Sequence, residues 1–192
     1  MKINAATRIL IIASVCALSL IGLVVSEGVA RQGGQDVLLP MEAVDPRSLL
    51  SGHYVQLGLT QRLEPGQTCP TGGDQEWVAL RQHGEIYLAA GGAASREQAQ
   101  LLGLPVKGGF DCSEPTPAID GGEAFPGWLA LHIGVDRFHI NQTDALRIER
   151  VLREQNVNEA TRAYAIVSIG RDGRARLKGV RIDGERLELS WL

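Results

Sequence analysis

The stretch "HYVQLGLTQRL", residues 53–63, decides the fold class. Val55, Leu57 and Leu59 alternate with Gln56, Gly58 and Thr60, the period of a β-strand with one face turned inward. Tyr54 falls in the opposite phase from the three aliphatics, so one set belongs to the core and the other meets water, a helix or a partner. Immediately upstream, "DPRSLLSG" reads as a single helical turn. Asp45 is a natural N-cap, Pro46 suits the first helical position, and Gly52 ends the turn. Before that, "DVLLPMEAV" (residues 36–44) reads as a first strand, with Pro40 marking an edge or a bulge.

Downstream, "EWVALRQHGEIYLAA" predicts a hairpin: a strand over 76–81, a turn near His83 and Gly84, and a strand over 85–90. "SREQAQLLG" places Ser95 as a helix cap with Gln98 three positions on, a capping-box pattern. The Pro- and Gly-rich tract 105–127 contains a loop of some length. "GWLALHIGV" and "RFHI" read as strands, or as one strand broken near Gly134. "NQTDALRIERVLREQN" is the clearest helix: Asn141 or Thr143 caps it, Leu146, Val151 and Leu152 form its apolar side with Ile148 at the margin, and Glu149 precedes Arg153 by four residues. "RAYAIVSIG" and "RARLKGVRIDG" follow as strands joined by "RDG", and "ERLELSWL" closes the chain. The count is eight or nine strands and two or three short helices. This predicts a mainly β (α+β) domain, an antiparallel β sandwich or barrel-like fold.

The chain has 192 residues and a formal charge of −3. Residues 1–26 hold Lys2 and Arg8 and no acid, so 17 basic side chains face 22 acidic ones beyond them, a balance of −5. That composition argues against nucleic acid as a partner. Aromatics are 5% of the chain, so the core must be built from Leu, Val, Ile and Ala. "ILIIASVCALSLIGLVV", residues 9–25, carries no charge. As a helix it spans about 25 Å, within the lower range for crossing a bilayer. Lys2 and Arg8 precede it and Glu27 follows, which places the N-terminus in the cytoplasm and the rest outside. The expected organisation is a cytoplasmic 1–8, a transmembrane anchor 9–25, a flexible linker 26–35 ("ARQGGQ" at its end) and an extracytoplasmic domain 36–192. A cleaved signal peptide is the rival reading, with small residues at Gly28 and Ala30; the length of the apolar run favours the anchor. Cys16 lies inside that run.

Cys69 and Cys112, in "GQTCPTGG" and "GGFDCSEPTP", form an even pair for a disulfide in an oxidising compartment. Neither has a second ligand at short spacing, so no zinc site is expected. His132, Asp136 and His139 have a spacing unlike a helical or strand metal pair, and each reads as a surface or turn residue. Asp111, Glu114, Asp120 and Glu123 read as solvated loop acids. An exported Ser–Lys peptidase would use Ser48 or Ser51 with Lys107 or Lys178; neither lysine lies in a convincing strand at a matching position for that chemistry. "NQT" at Asn141 is a sequon that reads here as a helix cap. No cofactor, metal or catalytic residue is expected.

Three blocks in order resemble the bacterial GDYXXLXY family. "GHYVQLGL", residues 52–59, matches the signature at Gly52, Tyr54 and Leu57; His53 replaces its acid and Leu59 its last tyrosine. Upstream, "PMEAVDPR", residues 40–47, resembles the family's lead-in, with Asp45, Pro46 and Arg47 matching. "GVDRFHI", from Gly134, is similar to the second landmark, with Arg137 and Phe138 matching and the acid kept as Asp136. "IGRDGRARLKGVRIDG", 169–184, is similar to the family's ending. The resemblance runs over residues 36–187. It implies a single-anchor membrane protein of the bacterial inner membrane with a periplasmic domain, working with a polytopic membrane protein.

The expected role is therefore a non-enzymatic, membrane-anchored accessory domain. Its contacts would be lipid, through residues 9–25, and a membrane-protein partner. The alternative is a binder of small envelope ligands or glycans in a cleft beside helix 144–155, and an exported peptidase is the weaker one. The signature residues are read as holding a structural corner, with Arg47 paired to Asp136 or Asp45 or lying free in solvent.

Overall fold

Short apolar-alternating runs punctuated by glycine and proline favour many brief antiparallel strands, and the computed structural model shows thirteen of them with two helices among the described residues. Those residues are 4–43, 54–64, 66–116, 126–135, 137–139, 150 and 163–188. Helix α1 spans Ala5–Gln32. The strands are β1 (Gln35–Pro40), β2 (Glu42–Ala43), β3 (Tyr54–Gly58), β4 (Thr60–Leu63), β5 (Trp77–His83) and β6 (Ile86–Ala93). Helix α2 (Arg96–Leu102) is followed by β7 (Leu104–Lys107), β8 (Gly109–Ser113), β9 (Gly127–His132), β10 (Arg137–His139), β11 (Ala163–Ile169), β12 (Ala175–Ile182) and β13 (Glu185–Glu188).

The strands form four antiparallel sheets, in the orders β1-β11-β12-β13, β10-β3-β2, β4-β9-β8 and β6-β5-β7. They share one core. Val37 and Leu39 of β1, Val78 and Leu80 of β5, Leu129 and Leu131 of β9, and alternate residues of β11 and β12 pack together out of solvent. The fold class is mainly β, as the alternation predicted; among the described residues the sheets do not close into a barrel.

Several strands are shorter and more numerous than the sequence suggests. The run 36–44 divides at Met41, just after Pro40, and β1 is an edge strand of its sheet, where a residue lacking an N–H is tolerated. The run 53–63 divides at Leu59. Leu59 keeps its inward phase and is fully packed, but β3 and β4 join different sheets. The tract 105–127, expected to contain a loop, opens with strands β7 and β8. Pro105 sits opposite Ala79 on the edge strand β7. The strand β8 pairs along its length with β9, which moves Asp111 from a loop to a strand.

The hairpin forms as predicted, with β5 and β6 joined by Gly84 and Glu85. A bulge between Ala79 and Leu80 leaves Ala90 unpaired. Ser95 caps α2, its hydroxyl accepting from the Gln98 N–H at 3.3 Å. Strands β11 and β12 form the longest ladder together with β5 and β6, again with a bulge, between Ile166 and Val167. The helix expected over 141–156 lies outside the described residues except for Arg150, which is helical and exposed. The helical turn expected over 45–52, with Asp45, Pro46, Arg47, Gly52 and His53, lies outside them too, as does Asp136.

Candidate functional site

Helix α1 is 28 residues long, about 42 Å, and none of its most apolar 18-residue window is buried by the rest of the chain. Ile9, Leu10, Leu18, Leu20, Leu23 and Val24 are all uncovered. It is long and apolar enough to cross a membrane. Asn4 caps it through its side chain, accepting from the Thr7 N–H at 2.8 Å. The segment read as a flexible linker is mostly helix: α1 runs on to Gln32, and only Gly33 and Gly34 separate it from β1. The tertiary structure supplies the reason, because the last turns of the helix are held by the head.

The hold centres on Arg176 in β12. Its guanidinium donates through Nε and Nη2 to the two oxygens of Glu27 on α1. It also donates to Asp172 through Nη1 at 3.2 Å and Nη2 at 3.0 Å. The Arg176 side chain is only 10% exposed, whereas both carboxylates are about half exposed. The hydrogen bond from Arg176 holds the Asp172 carboxyl at about 2, helped by the Arg174 N–H. Arg176 is in turn held more firmly protonated by Asp172 and then by Glu27.

Asp172 belongs to the turn between β11 and β12, and the turn is tied to the opposite sheet. The Lys107 N–H donates to the Gly173 carbonyl at 2.8 Å. Gly173 has φ +76°, and a Cβ there would stand 2.4 Å from the Trp77 ring, so both backbone and space require glycine. The Lys107 ammonium lies over that ring, 5.5 Å from its centre. On the other side of the junction, Gly34 presses on β11: a Cβ would meet Ser168 Oγ at 2.2 Å and the Ile169 carbonyl at 2.8 Å. Helix α1, the turn and two sheets thus form one connected unit.

Two of the family-like blocks come together as neighbouring strands. In β10, Arg137 pairs with Gln56 of β3, Phe138 with Val55 and His139 with Tyr54. On the other side of β3, Glu42 and Ala43 pair with Gly58 and Leu57. The signature strand is therefore the centre of a three-stranded sheet whose neighbours come from the lead-in and the second landmark.

Cys69 and Cys112 are bridged, with Cα atoms 5.9 Å apart. The bridge ties the loop before β5 to β8, and Glu114 accepts from the Cys69 N–H at 3.3 Å. His132 of β9 lies with Nε2 2.9 Å from Asp111 Oδ2 of β8, an exposed pair. Among the described residues no three metal-capable side chains converge. Lys178 lies in β12, within the run read as a strand, at the β11–β12 bulge. Its ammonium is held by both oxygens of Asp36, at 2.9 and 3.1 Å. Lys107 ends β7. Ser48 and Ser51 lie outside the described residues, and so do Asp120, Glu123 and Asn141.

Sequence reasoning missed two groups. Arg176 carries no signal in the sequence pattern, and its partner Glu27 is 149 positions away. Gln61 continues the inward phase of Leu59 and is buried. Its Oε1 accepts the Ala89 N–H at 3.0 Å, beside the bulge of β6. The alternation alone could have placed Gln61 inside; nothing in it shows the partner.

The apolar helix is consistent with a single membrane span, and the disulfide fits an extracytoplasmic domain. No curated protein and no solved structure is significantly similar to the chain. The family model described as GDYXXLXY protein matches residues 16–180, from within α1 to β12. The chain, with its signature strand paired to the second landmark, belongs to the GDYXXLXY protein family.

Proposed function

We propose that this chain is a non-enzymatic accessory protein of the bacterial inner membrane, single-pass with its N-terminus in the cytoplasm and its β head in the periplasm, working with a membrane-protein partner. The observation that carries it is the uncovered apolar helix joined directly to the head through Glu27, Arg176 and Asp172. Uncovered apolar surface of this extent needs lipid or protein around it. A shallow groove along Ala6, Ile9, Leu10, Ala13, Ser14 and Ala17 supports a helical partner, because small side chains let a second backbone approach closely in a bilayer.

The test is purification of the full chain from native membranes in mild detergent. A membrane protein co-purifies in stable ratio, and Ala13→Leu with Ala17→Leu releases it. A monodisperse chain with no co-purifying membrane protein overturns the partner reading.

A second reading, binding of an envelope glycan, is favoured by Trp128. It stands 44% exposed on β9, with Arg62 and Ser113 opposite it on the flanking strands. An exposed indole among hydrogen-bonding side chains is a stacking platform with polar handles. Envelope fragments raise the melting temperature of the wild-type chain and not of Trp128→Ala under this reading; no shift with any fragment removes it.

A further inference from the structure

We infer that the turn between β11 and β12 docks on the phospholipid headgroups through Arg171 and Arg174, so that the head sits against an anionic membrane surface. The inference rests on the reading of α1 as a membrane span. Glu27 lies two residues beyond Val25, the end of the apolar run, about 3 Å along the helix axis. The polar layer on each side of a hydrocarbon core is several ångströms thick. Glu27 therefore stands in that layer, and Arg176 holds Asp172 to it. The turn cannot move away from the bilayer without breaking this clamp, and the short Gly33–Gly34 connection allows no slack.

The chemistry at that level is cationic. The segment 170–176 reads "GRDGRAR", three arginines against one acid. Arg176 is taken up by two carboxylates. Arg171 and Arg174 are exposed. Neither guanidinium has an ion-pair partner among the described residues. The Arg174 side chain does not fold back on Asp172, which takes the Arg174 backbone N–H instead. A planar guanidinium donates two parallel hydrogen bonds to a phosphate, and basic residues near a membrane surface are drawn to anionic lipid.

The experiment uses the full chain, delipidated in neutral detergent, with retained lipid counted by native mass spectrometry. Phosphatidylglycerol is retained in preference to phosphatidylcholine, by about fivefold for each arginine that engages a headgroup. Arg171→Gln with Arg174→Gln abolishes the preference. Arg171→Lys with Arg174→Lys keeps part of it, and Arg96→Gln on α2 leaves it intact. Circular dichroism confirms that each variant is folded. Equal retention of the two lipids, or a preference that survives the double glutamine variant, overturns the inference. So does loss of the preference on adding millimolar inorganic phosphate, which would mark a soluble-anion site. Carbonate extraction of the same chain from membranes separates the two levels: release into the supernatant overturns the anchoring itself, whereas a retained chain without lipid preference overturns only the headgroup contact.

Discussion

Arg176 shows how one residue can join two parts of a chain. Lysine could not do the same, because one ammonium cannot present parallel donors to two carboxylates at once. Arg176→Ala leaves Glu27 and Asp172 facing each other without a counter-charge. Both carboxylates are half exposed, which discounts the loss to about 1–2 kcal/mol. For a head of this size that is a fall of a few degrees, about 2–8 °C, in melting temperature, with Arg176→Lys intermediate. The acid branch has a definite sign. Asp172 has a folded value near 2, below the ordinary carboxylate value of about 4. Its contribution is complete above about pH 4 and is lost as the pH falls through about 2. Melting curves of wild type and Asp172→Asn therefore differ at pH 5 and converge only below about pH 2. A constant gap across that range would mean that the pair is not what stabilises the junction.

At the scale of elements, the disulfide and the signature sheet carry the weight. Joining residues 43 positions apart restricts the unfolded chain by about 4 kcal/mol in the loop-entropy account. Cys69→Ser with Cys112→Ser is expected to lower the melting temperature by about 8–16 °C. Reductant should have the same effect on wild type and none on the variant. The spacing of the two cysteines allowed this bridge, and the structure makes it because β8 runs beside the loop that holds Cys69. The strand elements were legible to different degrees. The hairpin β5–β6 and the pair β11–β12 were plain, since alternation and a tight turn are local signals. The strands β7 and β8 were not, because Pro105, Gly108 and Gly109 read as loop residues. Pro105 is accommodated on an edge, and whether a strand lies at an edge is decided by its neighbours. The pairing of Arg137, Phe138 and His139 with Gln56, Val55 and Tyr54 was likewise invisible, although both segments had been singled out.

At the scale of the whole molecule, the junction joins helix α1 to the β head. A flexible spacer between them would be cut readily by protease. The helix instead continues through Arg31 to Gln32, and Gly33 closes it with an N–H to the Val29 carbonyl at 2.9 Å. Trypsin should therefore cleave after Arg31 slowly in the wild-type chain in detergent and markedly faster in Arg176→Ala, as read by the appearance of the free head on a gel. Equal rates would show that the clamp does not order this segment.

Local patterns by themselves determined the apolar span, the antiparallel β class, the hairpins, the cap at Ser95 and the family, because each is written in residues close together along the chain. Only the tertiary structure decided which strands share a sheet, where β1 and β3 stop, that the expected linker is helix, and that Glu27 meets Arg176. Those outcomes depend on contacts between residues far apart in sequence. Such contacts form only when the sheets close on their common core, and alternation and propensity carry no record of them.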